Sequence, residues 1–279
     1  MSFGTDLQAS VAERGPIVAG IDPHASVLEQ WGLPNTAAGA RDLSLRMLEA
    51  VQGRVSAIKP QAAFFERFGA DGFAVLEELL QAARAAGVLT ILDAKRGDIG
   101  STMGAYAEAF LAPGAPMEVD ALTVSPYLGY GSLEPAAERV CSAGKGMFVL
   151  SLTSNPDGPE VQHARTADGV PVASVMARHA AEANAQARAA GEWGSVGLVV
   201  GATIGSAAAD LGIDLDAVGG PLLAPGFGAQ GAGPAQLRSV FGSAAPRVLV
   251  SMSRSLMAAG PDAGAISAAC ESTRADYAL

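Results

Sequence analysis

The chain has 279 residues, of which 49% are hydrophobic and 16% charged, with a formal net charge of −10. That is enough apolar material for one sizeable core, and α/β barrels of roughly 250 residues often form a single domain, so one domain over residues 1–279 is expected. The acidic balance repels nucleic acid and acidic membrane surfaces, so neither is expected as a partner, and any site for an anionic substrate must be built locally.

No run of about 18 apolar residues occurs, and the N-terminal MSFGTDLQASVAERG lacks a basic segment followed by an apolar one. Neither a membrane span nor a signal peptide is indicated, and a cytoplasmic location is expected. The cysteines, Cys141 and Cys270, are far apart and belong to no CxxC or Cys/His cluster. Both read as buried apolar residues, with no disulfide or metal site.

Eight short apolar runs follow one another: IVAGI (17–21), VSAI (55–58), VLTIL (88–92), ALTV (121–124), MFVLSL (147–152), VGLVV (196–200), PLLA (221–224) and VLV (248–250). Nearly continuous apolar strands suit a parallel sheet covered by helices. Segments 41–51, 72–86, 172–190 and 234–241 have helical composition, and eight strand–helix alternations fit a closed barrel better than an open sheet. The stretch TSNPDGPEVQHARTADGV (153–170) is too polar and too rich in Pro and Gly for a core element, and reads as a long loop suited to a lid.

In such barrels the chemistry collects where strands end. The exits read Asp22-Pro-His, Lys59-Pro-Gln, Asp93-Ala-Lys95-Arg-Gly-Asp98, Ser125-Pro-Tyr, Thr153-Ser-Asn, Gly201-Ala-Thr, Pro225-Gly-Phe-Gly and Ser251-Met-Ser-Arg254. Asp93 and Lys95, two apart at the end of a strand, point to the same face, and Asp98 follows in the loop. A lone DxKxxD is also what an ordinary ion-pair network at a barrel end would use. The chain has only three lysines, Lys59, Lys95 and Lys145, against fifteen arginines, and two of the three stand at strand exits. An ammonium can give up a proton where a guanidinium, with a pKa above about 12, cannot, so a proton donor here must be a lysine.

The segment 226–231, GFGAQG, matches GxGxxG after a strand, but no acidic residue follows at 250–252, so a dinucleotide site is not indicated. The same glycines could bring backbone N–H groups up to a phosphate.

LDAKRGDIGSTMGAYA (92–107) resembles the signature of orotidine 5'-phosphate decarboxylases, specifically their longer bacterial type 2 branch. GIDPH, AIKPQAAFFERFG, TVSPYLG, LTSNPDG, VVGAT and APGFGAQG fall where that branch would place them, while ASVLEQWG after GIDPH and the last exit, SMSRSLM, depart from its pattern. The resemblance implies a single-domain (β/α)8 TIM barrel that decarboxylates orotidine 5'-phosphate to uridine 5'-phosphate, the last step of de novo pyrimidine synthesis, with no cofactor and no metal. It makes Lys95 the cation beside C6 and the proton donor, and Asp93 the neighbour of the departing carboxylate. Lys59 and Asp98 complete an alternating array of charge. It also implies a homodimer with shared sites, Asp98 and Thr102 acting from the neighbouring subunit. Asp22 would contact the ribose together with Lys59, and Ser154, with Asn155 beside it, the pyrimidine. Gln230 and Arg254 would hold the phosphate.

Two alternatives stand beside this reading. One is a metal-dependent sugar-phosphate lyase of the same suprafamily, which needs acidic ligands near the early strands. The other is a barrel that binds a nucleotide phosphate without turnover, for which loss of Lys95 or Asp93 would be the mark. His24, His163 and His179 have neither a nucleophile partner nor metal spacing and read as structural or surface residues.

Overall fold

The computed structural model describes residues 2–229 and 231–278. Eight strands form one parallel sheet: β1 (Ile17–Ile21), β2 (Ala57–Pro60), β3 (Ile91–Arg96), β4 (Ala121–Val124), β5 (Gly146–Leu152), β6 (Val196–Val200), β7 (Leu222–Pro225) and β8 (Val248–Met252). The order runs β2-β1-β8-β7-β6-β5-β4-β3, and parallel bridges from Ile58 to Thr90 and from Gln61 to Asp93 join its two ends. The sheet therefore closes on itself, and helices between the strands cover it, the (β/α)8 arrangement.

Successive side chains of each strand point to opposite faces, and this divides the apolar residues into two sets. Ile17, Ala19, Ile21, Ile58, Leu92, Leu122 and Val149 belong to the layer beneath the helices. Val18, Ala57, Ile91, Ala121, Phe148, Val199, Leu223 and Leu249 fill the barrel itself. A helix at Phe3–Arg14, capped by Ser2, closes the floor by inserting Phe3 edge-on against Phe148, with centroids 6.0 Å apart. Gly146 leaves room for it, since a Cβ there would lie 2.2 Å from the Phe3 ring.

The same alternation positions the site. Two residues beyond Ala57, Ile91, Ala121 and Leu249, one pleat nearer the C-terminal rim, stand Lys59, Asp93, Thr123 and Ser251, all buried. The interior thus has an apolar lower layer and a polar upper one.

Several elements differ from the sequence reading. β2 and β3 lie two to three residues later than the apolar runs 55–58 and 88–92, so Lys59, Asp93 and Lys95 sit inside strands rather than beyond them. Hydrophobicity marks the lower layer of a barrel and stops where the polar layer begins. The helical segment 172–190 is broken into Val172–Ala183 and Ala185–Ala189 at Asn184, whose buried amide donates to the Val196 and Val218 carbonyls at 2.7 and 2.9 Å. Cys270 is buried but Cys141, read as buried, is exposed on the helix Glu134–Ala143. Loop 153–170 contains a short helix, Gly158–Gln162, and a bridge from Arg165 to Pro171. Among the described residues no helix is long and apolar enough to cross a membrane.

Candidate active site

A cavity of about 440 Å³ opens at the C-terminal rim, lined by Asp22 and His24 after β1, Lys59 and Gln61, Asp93 and Lys95, Pro225 to Phe227, Ala229, Ser251, Ser253 and Arg254. Its floor is the polar layer of the barrel. Lys59 donates to Asp93 Oδ2 at 3.2 Å and lies 4.0 Å from Asp22 Oδ1. Lys95 donates to the other oxygen, Asp93 Oδ1, at 2.6 Å.

Burial alone would push the Asp93 carboxyl up, but the two ammonium groups beside it outweigh that and hold it down at about 2. Burial likewise works against a charged Lys59, and Asp22 with Asp93 raises its pKa nonetheless. The pair is ionised on both sides at neutral pH. Asp22 Oδ1 is buried with no hydrogen-bond partner among the described residues, and an orphaned carboxylate oxygen at a cavity wall is free to accept from a ligand hydroxyl.

Lys95 occupies a special backbone position. It is the only non-glycine residue with a positive φ, 48°, among those described, and β3 loses its register with β4 between Leu92 and Arg96. Such a conformation costs an L-residue roughly 1 kcal/mol, and strain of this kind gathers at functional sites. Thr123 and Arg96 hold the bulge. The Thr123 hydroxyl accepts from the Ala94 and Lys95 amides at 3.0 and 2.9 Å and lies 3.0 Å from Asp93 Oδ1. Arg96 donates to the Ala94 carbonyl at 3.2 Å and pairs with Glu66, its guanidinium over Tyr106.

The remaining predicted residues are placed as follows. Asp98 is half-buried and its Oδ1 accepts from the Ile99 amide at 2.8 Å; within one chain it does not join Lys59, Asp93 and Lys95. Thr102 is exposed in the first turn of the helix Gly100–Leu111. Ser154 is exposed after β5, beside Gly201. The loop around it is pinned by Gln162, which accepts from the Thr153 amide at 2.9 Å. Loop residues Asn155, Asp157 and Gln162 line a second hollow of about 400 Å³ with Ser125 to Tyr127. Arg254, exposed, lines the main cavity at the start of a short helix after β8. Gln230 lies outside the described residues.

In the glycine-rich loop, Gly226, Gly228 and Gly231 all have positive φ, at 115°, 69° and 95°. The N–H groups of Gly228, Gly231 and Ala232 bond within the loop itself, so those three are committed to the turn. A Cβ on Gly228 would meet Met252 at 2.7 Å and Ser255 at 3.0 Å, so the turn lies directly on the β8 exit beside Arg254.

Sequence reasoning named Ser251, Ser253 and His24 within the strand exits without giving them a role in the site, and it passed over Thr123. Thr123 is a small residue inside a strand, and only the inward register, counted two on from Ala121, could have exposed it. His24, read as structural or surface, lines the cavity against Phe64, centroids 3.9 Å apart. Burial lowers its pKa; Asp22 opposes this while Arg254 and Arg67 add to it.

Residues 15–269 match the pattern of the orotidine 5'-phosphate decarboxylase / HUMPS family. The chain is 54% identical over 275 residues to the orotidine 5'-phosphate decarboxylase of Salinispora arenicola, covering 99% of this chain and 96% of that one. It is 54% identical over 272 residues to that of Streptomyces coelicolor, covering 96% and 94%. A crystal structure from Streptomyces avermitilis, described as an orotidine 5'-phosphate decarboxylase, superposes with a TM-score of 0.93 at 52% identity, covering 99% and 94% of the two chains. The Leishmania donovani OMP decarboxylase superposes at 0.74 with 33% identity over 99% of each.

Proposed function

The chain belongs to the orotidine 5'-phosphate decarboxylase / HUMPS family, and from that premise we infer that it converts orotidine 5'-phosphate to uridine 5'-phosphate and carbon dioxide in pyrimidine biosynthesis, residues 1–279 acting as one barrel domain in the cytoplasm. The observation that carries the reading is Asp93, buried at the barrel mouth with Lys59 on one oxygen and Lys95 on the other.

The bond from C6 to the carboxylate breaks with its electron pair left on C6, in an orbital in the plane of the ring that the π system cannot delocalise. Stabilisation must therefore come through space, from positive charge fixed before the reaction begins. Lys95, tethered by Asp93, supplies that charge and then transfers a proton from Nζ to C6, and solvent returns the proton. Lys59 keeps Asp93 ionised, so Asp93 in turn holds Lys95 at the reacting atom. No step calls for a cofactor. Asp22, with its unsatisfied oxygen, and Lys59 take the ribose hydroxyls; Ser154 takes the pyrimidine edge; Gln230 and Arg254 take the phosphate, where a guanidinium can bind two oxygens at once. Phosphate binding far from C6 supplies energy to order the rim loops around the charge array.

One chain leaves this site open, since 44% of the Lys95 side chain is exposed, and water there would screen the charge on which the reaction depends. On the loops after β3 and β4, which touch where Gly97 packs on the Ser125 carbonyl, Ile99 and Tyr127 are 62% and 77% exposed. These features support a homodimer in which a second copy covers the mouth and contributes its Asp98 and Thr102. A metal-dependent sugar-phosphate lyase would need acidic ligands near the early strands, and near the end of β2 this chain carries Lys59.

The test is the loss of orotidine 5'-phosphate absorbance on adding chelator-treated protein, beside Lys95→Ala. Turnover that survives chelation and disappears in the variant is the expected result; an inactive wild type overturns the reading.

A further inference from the structure

We infer that Thr123 is a positioning residue for this reaction, its hydroxyl fixing both the Asp93 carboxylate and the backbone turn from which Lys95 projects. The inference rests on the decarboxylase reading above.

The register of the barrel requires something in this place. Leu92 pairs with Leu122 and Arg96 with Val124, so Asp93, Ala94 and Lys95 all stand opposite the single residue Thr123. A bulge of that size takes the Ala94 and Lys95 amides out of the ladder with β4. Thr123, fully buried, replaces the ladder with its side chain, accepting from Ala94 N at 3.0 Å and Lys95 N at 2.9 Å.

A hydroxyl has two lone pairs and one hydrogen. Both lone pairs face amide donors, and an ionised carboxylate can only accept, so the single hydrogen belongs to Asp93 Oδ1, 3.0 Å away. No rotational choice remains. One atom therefore ties together the backbone before Lys95, the amide of Lys95 itself and the carboxylate that Lys95 Nζ contacts at 2.6 Å.

Lys95 needs this because its left-handed backbone, at φ 48°, has no support from a glycine. If the bulge relaxes, the base of the lysine swings and Nζ leaves the position set by Asp93. Serine at 123 could make the same three bonds; valine, equal in shape, could make none.

Thr123→Val and Thr123→Ser are compared with wild type by kcat, by KM for orotidine 5'-phosphate, by Kd for uridine 5'-phosphate and by thermal midpoint. For Thr123→Val we expect kcat to fall about 100-fold or more with Kd for the product within about threefold of wild type, since a displacement of the reacting group costs chemistry before it costs binding. Thr123→Ser should recover to within about tenfold of the wild-type kcat. Should Thr123→Val not fold, Thr123→Cys, whose thiol is a weak acceptor, is held to the same split. The inference is overturned if valine or cysteine retains kcat within about threefold of an active wild type, or if kcat and product affinity fall together with serine no better. A wild type that binds the product but does not turn over the substrate would overturn the decarboxylase reading, and this inference with it.

Discussion

Lys59 and Lys95 hold opposite oxygens of one carboxylate, the first from inside the barrel at 3.2 Å and the second from its rim at 2.6 Å. The two cations differ in setting, since Lys59 is buried whereas the Lys95 side chain is 44% exposed. In the proposed reaction Lys59 is the fixed member of the array and Lys95 the one that meets substrate.

The pH dependence follows from the direction of each shift. The Asp93 carboxyl is held at about 2, below its ordinary 3.8, so the stability it contributes is present above the ordinary value and is lost as pH falls toward 2. The Lys59 pKa is raised above 10.5, so its contribution is present below that value and is lost as pH rises through the raised one. At saturating substrate, kcat should therefore show no ionisation of this pair between about pH 5 and pH 9. A pH series of kcat, with thermal midpoints alongside, checks this. An inflection near pH 6 that Asp93→Asn abolishes would contradict it.

Removing Lys59 should cost stability as well as rate. Lys59→Met leaves Asp22 and Asp93 buried without their shared cation, and breaking a buried pair from one side typically costs about 3–5 kcal/mol. For a domain of this size, that corresponds to a drop of roughly 10 °C in Tm. Calorimetry on the purified variant measures it, and an unchanged midpoint would show that Lys95 alone compensates Asp93 and that Asp22 finds another partner.

At the opposite end of the barrel, Phe3 should matter to stability and not to chemistry. It fills the floor against Phe148 and Gly146, far from the polar layer, and deleting a buried phenylalanine side chain costs about 3–5 kcal/mol. Phe3→Ala should melt well below wild type while its kcat, read far below that midpoint, stays unchanged. A loss of kcat at low temperature would mean that the floor communicates with the mouth.

The barrel was legible because its lower layer is written in apolar residues: β1, β4 and β6 lie where their runs predict. β2 and β3 were displaced for the same reason, since their last residues belong to the polar layer, and a hydrophobic run ends where the chemistry starts. Lys59, Asp93 and Lys95 could be singled out as charges at strand ends. Thr123 could not, because a threonine in a strand is ordinary until the bulge opposite it is known. The helix Phe3–Arg14 was missed because its pattern of Phe3, Leu7 and Ser10 facing inward is weakly apolar, its value to the fold resting on one ring placed under the barrel. Asn184 broke a helix that composition alone continued, its bonds to β6 and the Val218 carbonyl outweighing local propensity.

The proposed sharing of the site between two copies makes a prediction that neither charge nor fold could satisfy by accident. Within one chain the Asp98 carboxylate accepts from the Ile99 amide and, among the described residues, pairs with none of Lys59, Asp93 and Lys95, so a site built from Lys95 of one copy and Asp98 of another needs both copies intact. Lys95→Ala and Asp98→Ala should each be nearly inactive alone. In a heterodimer of the two, one mouth carries both lesions and the other carries none. An equal mixture, unfolded and refolded together so that subunits exchange at random, is half heterodimers, each with one sound site of two. It should regain about a quarter of wild-type activity, the fraction that two-fold symmetry dictates. Activity that stays at the level of the separate variants would place Asp98 in its own subunit's site or outside the chemistry altogether.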